Sequence, residues 1–267
     1  MDEGPGRRKR LELYTNRCGD RPSLACMLPS IANCIHHMFN ALMIASGIAW
    51  TLTYLLIIRQ GYREQTYGMP VAALAANLSW EFIFAIVHPH GVPQVVVNWV
   101  WLTFDLAIGW QVLRHGPREW GWPRSHFIAL FAAALATAFP AVLLVTYEFA
   151  EFDRMSGAYA AFGQNLMMSI LFVNMYRERG ARGQTPWIAA GKLLGTLCAS
   201  AAFYSFTSLG ASPLMLFLYG SILLFDSVYL GLVAGVLPMP TRQAELCPRC
   251  SSPTQPESRD VTVSAIE

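Results

Sequence analysis

Residues Met69–Val87 read Met-Pro-Val-Ala-Ala-Leu-Ala-Ala-Asn-Leu-Ser-Trp-Glu-Phe-Ile-Phe-Ala-Ile-Val. The run has about the length of a bilayer-crossing helix, which needs about 20 apolar residues. Yet it encloses a carboxylic acid, Glu81. An ionisable group at bilayer depth costs roughly 2.5–3.5 kcal/mol on insertion scales, so it is rare and marks function by default. Asp105 and Asp226 sit in the same way inside two further apolar runs. Three such acids in a 267-residue chain with 13% charged residues make the buried carboxylates the feature to explain.

Seven runs qualify as spans: Met38–Ile58, Met69–Val87, Pro93–Leu113, Ser125–Tyr147, Gly157–Tyr176, Trp187–Leu209 and Ala211–Val236. They are unbroken rather than alternating, which excludes a β-barrel pattern. The expected fold is an all-α membrane protein, a bundle of seven transmembrane helices over residues 37–237. A polar, basic N-terminal tail (1–36) and a C-terminal tail (238–267) rich in Pro, Ser, Glu and Arg flank it. The C-terminal composition reads as disordered. No signal peptide is evident, since no short apolar core with a small-residue cleavage site follows the N-terminal charges. A formal net charge of +2 gives no argument for a nucleic-acid partner.

Orientation follows from arginines in short loops. Arg59 and Arg63 follow the first span, Arg114, Arg118 and Arg124 the third, and Arg177, Arg179 and Arg182 the fifth. Loops two, four and six carry only Arg154. This places the N-terminus outside and the C-terminus in the cytoplasm, against the basic run Arg7–Arg10. Abundant Ala and Arg with very little Lys suggests a bacterial cell membrane.

Three helical stripes collect the polar residues. Asn77 and Glu81 are four apart and share a face, flanked by Trp80. Asn98, Trp101 and Asp105 form the second stripe, and Tyr219, Asp226 and Tyr229 the third. Lipid cannot satisfy such groups, so each stripe faces inward. One pocket lined by Glu81, Asp105, Asp226 and aromatic side chains is the expectation. The plainer reading of each acid is a pairing with Asn or Tyr that holds helices together. Lys192, near the start of the sixth span, snorkels to the interface or pairs with an acid rather than acting as a nucleophile. Gln164, Asn165, Ser169 and Asn174 line the cavity or join helices. His88 and His90, and the Cys247/Cys250 pair in the tail, lack the further partners of a metal site. No metal or cofactor is called for.

A carboxylic acid buried without a counter-charge keeps its proton. In a dry cavity it becomes a donor to a weakly basic substrate. Aromatic faces stabilise a cation by up to about 2 kcal/mol when desolvated. Excluding water protects that cation from early capture. Acid, aromatic wall and dry cavity together suit proton-initiated closure of a polyene, a substrate that itself partitions into the bilayer.

Two motifs resemble a known family. Asn77-Leu-Ser-Trp80-Glu81 resembles the second-helix motif of the small integral-membrane terpene cyclases of meroterpenoid pathways. These are the paxilline-type and pyripyropene-type cyclases, with bacterial relatives acting on farnesylated indoles or diketopiperazines. Leu218-Tyr219 with Phe225-Asp226-Ser-Val-Tyr229 resembles the family's last-helix motif. The resemblance covers residues 38–236. It implies a protonating role for Glu81 and Asp226, and less directly for Asp105. It also implies a prenylated hydrophobic substrate, with Asn77, Trp80, Trp101, Tyr219 and Tyr229 around it. Such a substrate needs no diphosphate ionisation, and the chain has neither an Asp-Asp-x-x-Asp nor an Asp-x-Asp-Asp motif.

Other classes predict other features. A retinal protein needs a lysine deep in its last helix, and the seventh span has none. A proton-coupled small-molecule transporter would use buried carboxylates equally well, and is the alternative function. A purely structural membrane protein would use the stripes for packing.

Overall fold

The computed structural model describes residues 24–238, with side chains from residue 33 onward. The basic run Arg7–Arg10, the tail beyond residue 238 and the Cys247/Cys250 pair lie outside the described residues. Among the described residues the chain forms eight α-helices and no strand. These are α1 (Leu24–Glu64), α2 (Val71–Phe82), α3 (Gln94–Trp120), α4 (Arg124–Glu148), the single turn α5 (Ala150–Asp153), α6 (Ala158–Arg179), α7 (Pro186–Phe206) and α8 (Pro213–Val233). A π-helical turn, Ile83–Val87, extends α2.

Helix boundaries have local causes. Thr185 caps α7 by accepting from the Ile188 N–H, and Ser212 caps α8 by accepting from the Met215 N–H. In both, proline follows the cap, where its missing N–H costs nothing. Gly121 ends α3 in the left-handed conformation that glycine adopts without strain.

Five helices are long and apolar enough to cross a membrane: α1 over Asn33–Glu64, α3, α4, α7 and α8. The other two expected spans differ for a physical reason. Segment Val71–Val87 is apolar but short. Ten of the twelve α2 residues are buried, and α2 packs against α3, α4 and α6. A helix enclosed by its neighbours meets little lipid, so its length is not set by bilayer thickness. Helix α6 carries Gln164, Asn165, Ser169 and Asn174, which lower its hydropathy. By contrast α4 buries only Phe127, Phe131, Val142 and Thr146 and exposes Leu144 and Val145. Such an outward apolar face fits acyl chains.

Alternate loops meet at opposite ends. At one end Glu119 of α3 pairs with Arg179 and lies 3.6 Å from Arg182, and it accepts from the Thr66 hydroxyl. Glu64 accepts from the Gly183 N–H at 2.6 Å there. At the other end His88 bonds the Tyr147 hydroxyl at 2.8 Å. His90 bonds the Ser156 carbonyl at 3.1 Å and stacks on Phe84 at 4.5 Å. Gly157 opens α6 with φ +66°, and the Phe84 ring occupies the space where its Cβ would stand. These contacts fix both ends of α2, the helix that carries Glu81.

Candidate active site

All three acids are buried: Glu81 is 3% exposed, Asp105 and Asp226 0%. Their polar surroundings form two centres, joined through α6.

The first centre lies between α1, α2 and α3. Glu81 and Asp105 are near enough for their charges to interact. Neither Asp105 oxygen has a well-formed hydrogen bond, although Tyr54 and Asn77 lie beside it, and Glu81 Oε2 is also unpartnered. Asn77 Nδ2 donates to the Tyr54 hydroxyl at 2.5 Å. Among the described residues no cation forms an ion pair with either acid. The Tyr54 ring faces Trp101 at 6.2 Å and Phe104 at 6.0 Å between centroids. Trp101 donates its indole N–H to Thr51 at 3.0 Å.

The second centre lies between α6, α7 and α8. Lys192 is 0% exposed and directs its ammonium inward. It donates to Asp226 Oδ1 at 2.6 Å, Ser169 Oγ at 2.7 Å and Asn165 Oδ1 at 3.1 Å. An ammonium has three donors, and all three are used. The Trp50 ring lies 5.8 Å from the ammonium. Of the two sequence options for Lys192, pairing with an acid is the one observed, and Asp226 is countered rather than isolated. Asp226 Oδ2 is buried without a partner, as are the hydroxyls of Tyr219 and Tyr229. Tyr229 packs on Phe172 at 5.0 Å and Tyr219 on Phe162 at 4.9 Å.

Consecutive residues of α6 connect the centres. Gln164 donates to Asn77 Oδ1 at 3.2 Å, and Asn165 accepts from Lys192. Adjacent helical residues point about 100° apart, so one helix can serve both centres.

Two expected positions point elsewhere. Trp80 donates to the Gly157 carbonyl at 3.2 Å and packs on Phe84 at 4.7 Å, within a cluster that includes Val142. Asn98 donates to the Phe84 carbonyl at 3.0 Å and bonds His90, anchoring the π-helical turn rather than Asp105. Tyr54 and Trp50, by contrast, enter the two centres from α1 although no charged motif marks them. The four polar residues of α6 were the signal for Gln164, Asn165 and Ser169.

A cavity of about 240 Å³ opens between α7 and α8, lined by Leu193, Thr196, Tyr219, Gly220 and Asp226 among others. Glu81 and Asp105 are not among its lining residues. Among the described residues no three His, Cys, Asp or Glu side chains group as a metal would require.

A Pyr4-family terpene cyclase of Annulohypoxylon moriforme is 41% identical over 81 residues, 30% of this chain and 34% of that one. The terpene cyclase ascF of Acremonium egyptiacum is 29% identical over 176 residues, 60% of this chain and 64% of that one. The terpene cyclase pyr4 of Aspergillus fumigatus is 30% identical over 79 residues, 29% of this chain and 33% of that one. The chain thus spans between a third and two thirds of the length of these curated relatives. They are fungal, and nothing among them supports the bacterial membrane expected from composition or the transporter alternative. No solved structure matches the chain. The family model of the Pyr4-like transmembrane terpene cyclases matches residues 28–234, all eight helices but the first turn of α1, and the chain belongs to that family.

Proposed function

We propose that the chain is a terpene cyclase that protonates a terminal alkene or epoxide of a farnesyl-bearing meroterpenoid. Its rings close through carbocations, and loss of a proton ends the reaction. One observation carries the reading: of the twelve buried polar side-chain atoms without partners among the described residues, seven belong to Glu81, Asp105, Gln164, Tyr219, Asp226 and Tyr229. Native proteins pair nearly all such atoms, so each orphan calls for an explanation. A ligand between these helices supplies one.

The two centres divide the work. Glu81 and Asp105 are adjacent and uncountered; two carboxylates sharing a site do not ionise together. The pair therefore keeps a proton, and Glu81 delivers it. Its O–H bond breaks as a C–H bond forms on an alkene, or an O–H bond on an epoxide. Positive charge then moves to successive tertiary carbons as C–C bonds close. Tyr54, Trp101 and Phe104 offer ring faces to it. Asp226, paired with Lys192, offers its free oxygen to the last cation and takes the proton as a C–H bond breaks and an alkene forms. The product is an isomer of the substrate. Solvent restores the proton of Glu81 and receives that of Asp226.

Helices α2 with its π-helical turn and α6 complete seven crossings with the five long apolar helices, and the arginine-rich ends face the cytoplasm. The bilayer supplies the substrate.

The test uses membranes from cells producing the chain, incubated with a farnesylated indole and with its terminal epoxide. Mass spectrometry and NMR look for an isomer of unchanged mass with fewer double bonds. A cyclic isomer that disappears with Glu81→Gln supports the reading. Full cyclisation by both Glu81→Gln and Asp226→Asn would sink it.

A further inference from the structure

We infer that the cleft between α7 and α8 is the bilayer entrance through which the substrate's prenyl chain reaches Asp226, with Gly220 at its mouth. This rests on the cyclase reading above and adds to it where the substrate enters.

The walls of the cleft are apolar, formed by Leu193, Leu197, Leu216, Ile222 and Leu223, with Tyr204 at the side. Tyr204 is 58% exposed, and Leu197, Leu216 and Leu223 are 46%, 45% and 45% exposed. In a membrane these side chains border acyl chains, so the cleft opens sideways into lipid. At its inner end stands Asp226, wholly buried, with Oδ1 on Lys192 and Oδ2 without a partner. A saturated acyl chain has no use for that oxygen, whereas a cyclising chain must bring its last cation to it, and this favours a prenyl chain over a lipid tail.

Gly220 supplies an independent argument. A glycine inside a helix costs about 1 kcal/mol relative to alanine, so it needs a cause. A Cβ built there meets nothing within 4 Å. Close packing therefore does not require glycine at this position. Gly220 is exposed and lines the cleft together with Tyr219 and Asp226, so a large side chain there would stand in the opening. A volume of about 240 Å³ is below the roughly 300–1,000 Å³ usual for small-molecule sites. A longer occupant must part Leu197 and Leu223, which face lipid and have room to move.

The experiment uses the full chain in phospholipid nanodiscs and a farnesyl ether bearing a diazirine at its distal end. After irradiation, labelled peptides are identified by mass spectrometry. Thermal unfolding of each variant is followed in parallel. The expected result is labelling of α7 and α8 around Leu197, Leu216 and Leu223, displaced by farnesylated indole and not by excess free fatty acid. Gly220→Phe should lower labelling by at least about tenfold, since a single misplaced methylene in an apolar pocket already costs that much. Its unfolding temperature should stay near that of the parent. Gly220→Ala should retain labelling. Labelling confined to other helices overturns the proposal, as does displacement by fatty acid alone or undiminished labelling of Gly220→Phe. Absent labelling overturns it whether or not turnover is seen. Labelling as expected without turnover of any substrate leaves the cleft assignment standing and removes the cyclase reading.

Discussion

The Glu81–Asp105 centre and the Asp226–Lys192 centre are built from the same residue type at similar burial, yet their surroundings are opposite. Asp226 has a 2.6 Å ion pair whose ammonium is also held by Asn165 and Ser169. Glu81 and Asp105 have each other, Asn77 and Tyr54, and among the described residues no cation. Burial therefore does not fix the chemistry of a carboxylate; the nearest counter-charge does. Nor is the ion pair explained by stability. Removing two charges from water costs several kcal/mol per ion, and apolar replacements are often neutral or better. A pair retained under those terms points to a requirement for the charge itself.

That contrast can be broken most severely at the donor. Glu81→Gln should lower turnover by about 10²–10⁴-fold, the range for loss of a general acid, with no loss of thermal stability. Product formed per folded molecule is the readout. If Asp105→Asn carries the loss instead, the donor within the pair is Asp105. Next in size, Lys192→Met should destabilise the protein by about 3–5 kcal/mol, because Asp226 is left buried and uncompensated. Unfolding in detergent measures this. Lys192→Met with Asp226→Leu should recover most of that stability while remaining inactive. An unchanged unfolding temperature in the single variant would erase the distinction between the centres.

Smaller effects sharpen the link between them. Gln164→Leu removes a 3.2 Å bond to Asn77, and should cost about 1 kcal/mol. A double-mutant cycle with Asn77→Leu should give coupling of that size, and a zero value would mean that α6 does not connect the centres. Thr185→Ala removes the cap of α7, the helix that carries Lys192, and should cost about 1 kcal/mol. Hydrogen exchange should rise in the first turn of α7 and stay unchanged around Glu81. Uniform change across both regions would show that the centres fold as one unit.

Much of this molecule was legible in its residues. Apolar runs located every long helix, because a bilayer core demands about 20 apolar residues and forbids unpaired backbone. The acids at positions 81, 105 and 226 were evident because charge inside such runs is costly. Helical spacing put Asn77 beside Glu81. What spacing could not supply was how each helix is rotated against its neighbours. Trp80 is close in sequence to Glu81, yet it turns toward Gly157 and Val142. Lys192 and Asp226 are 34 residues apart and meet only because α7 packs on α8. The sequence by itself determined which groups must be hidden from lipid. Only the tertiary structure decided which of them face each other, because that choice depends on side-chain packing between segments distant in the chain.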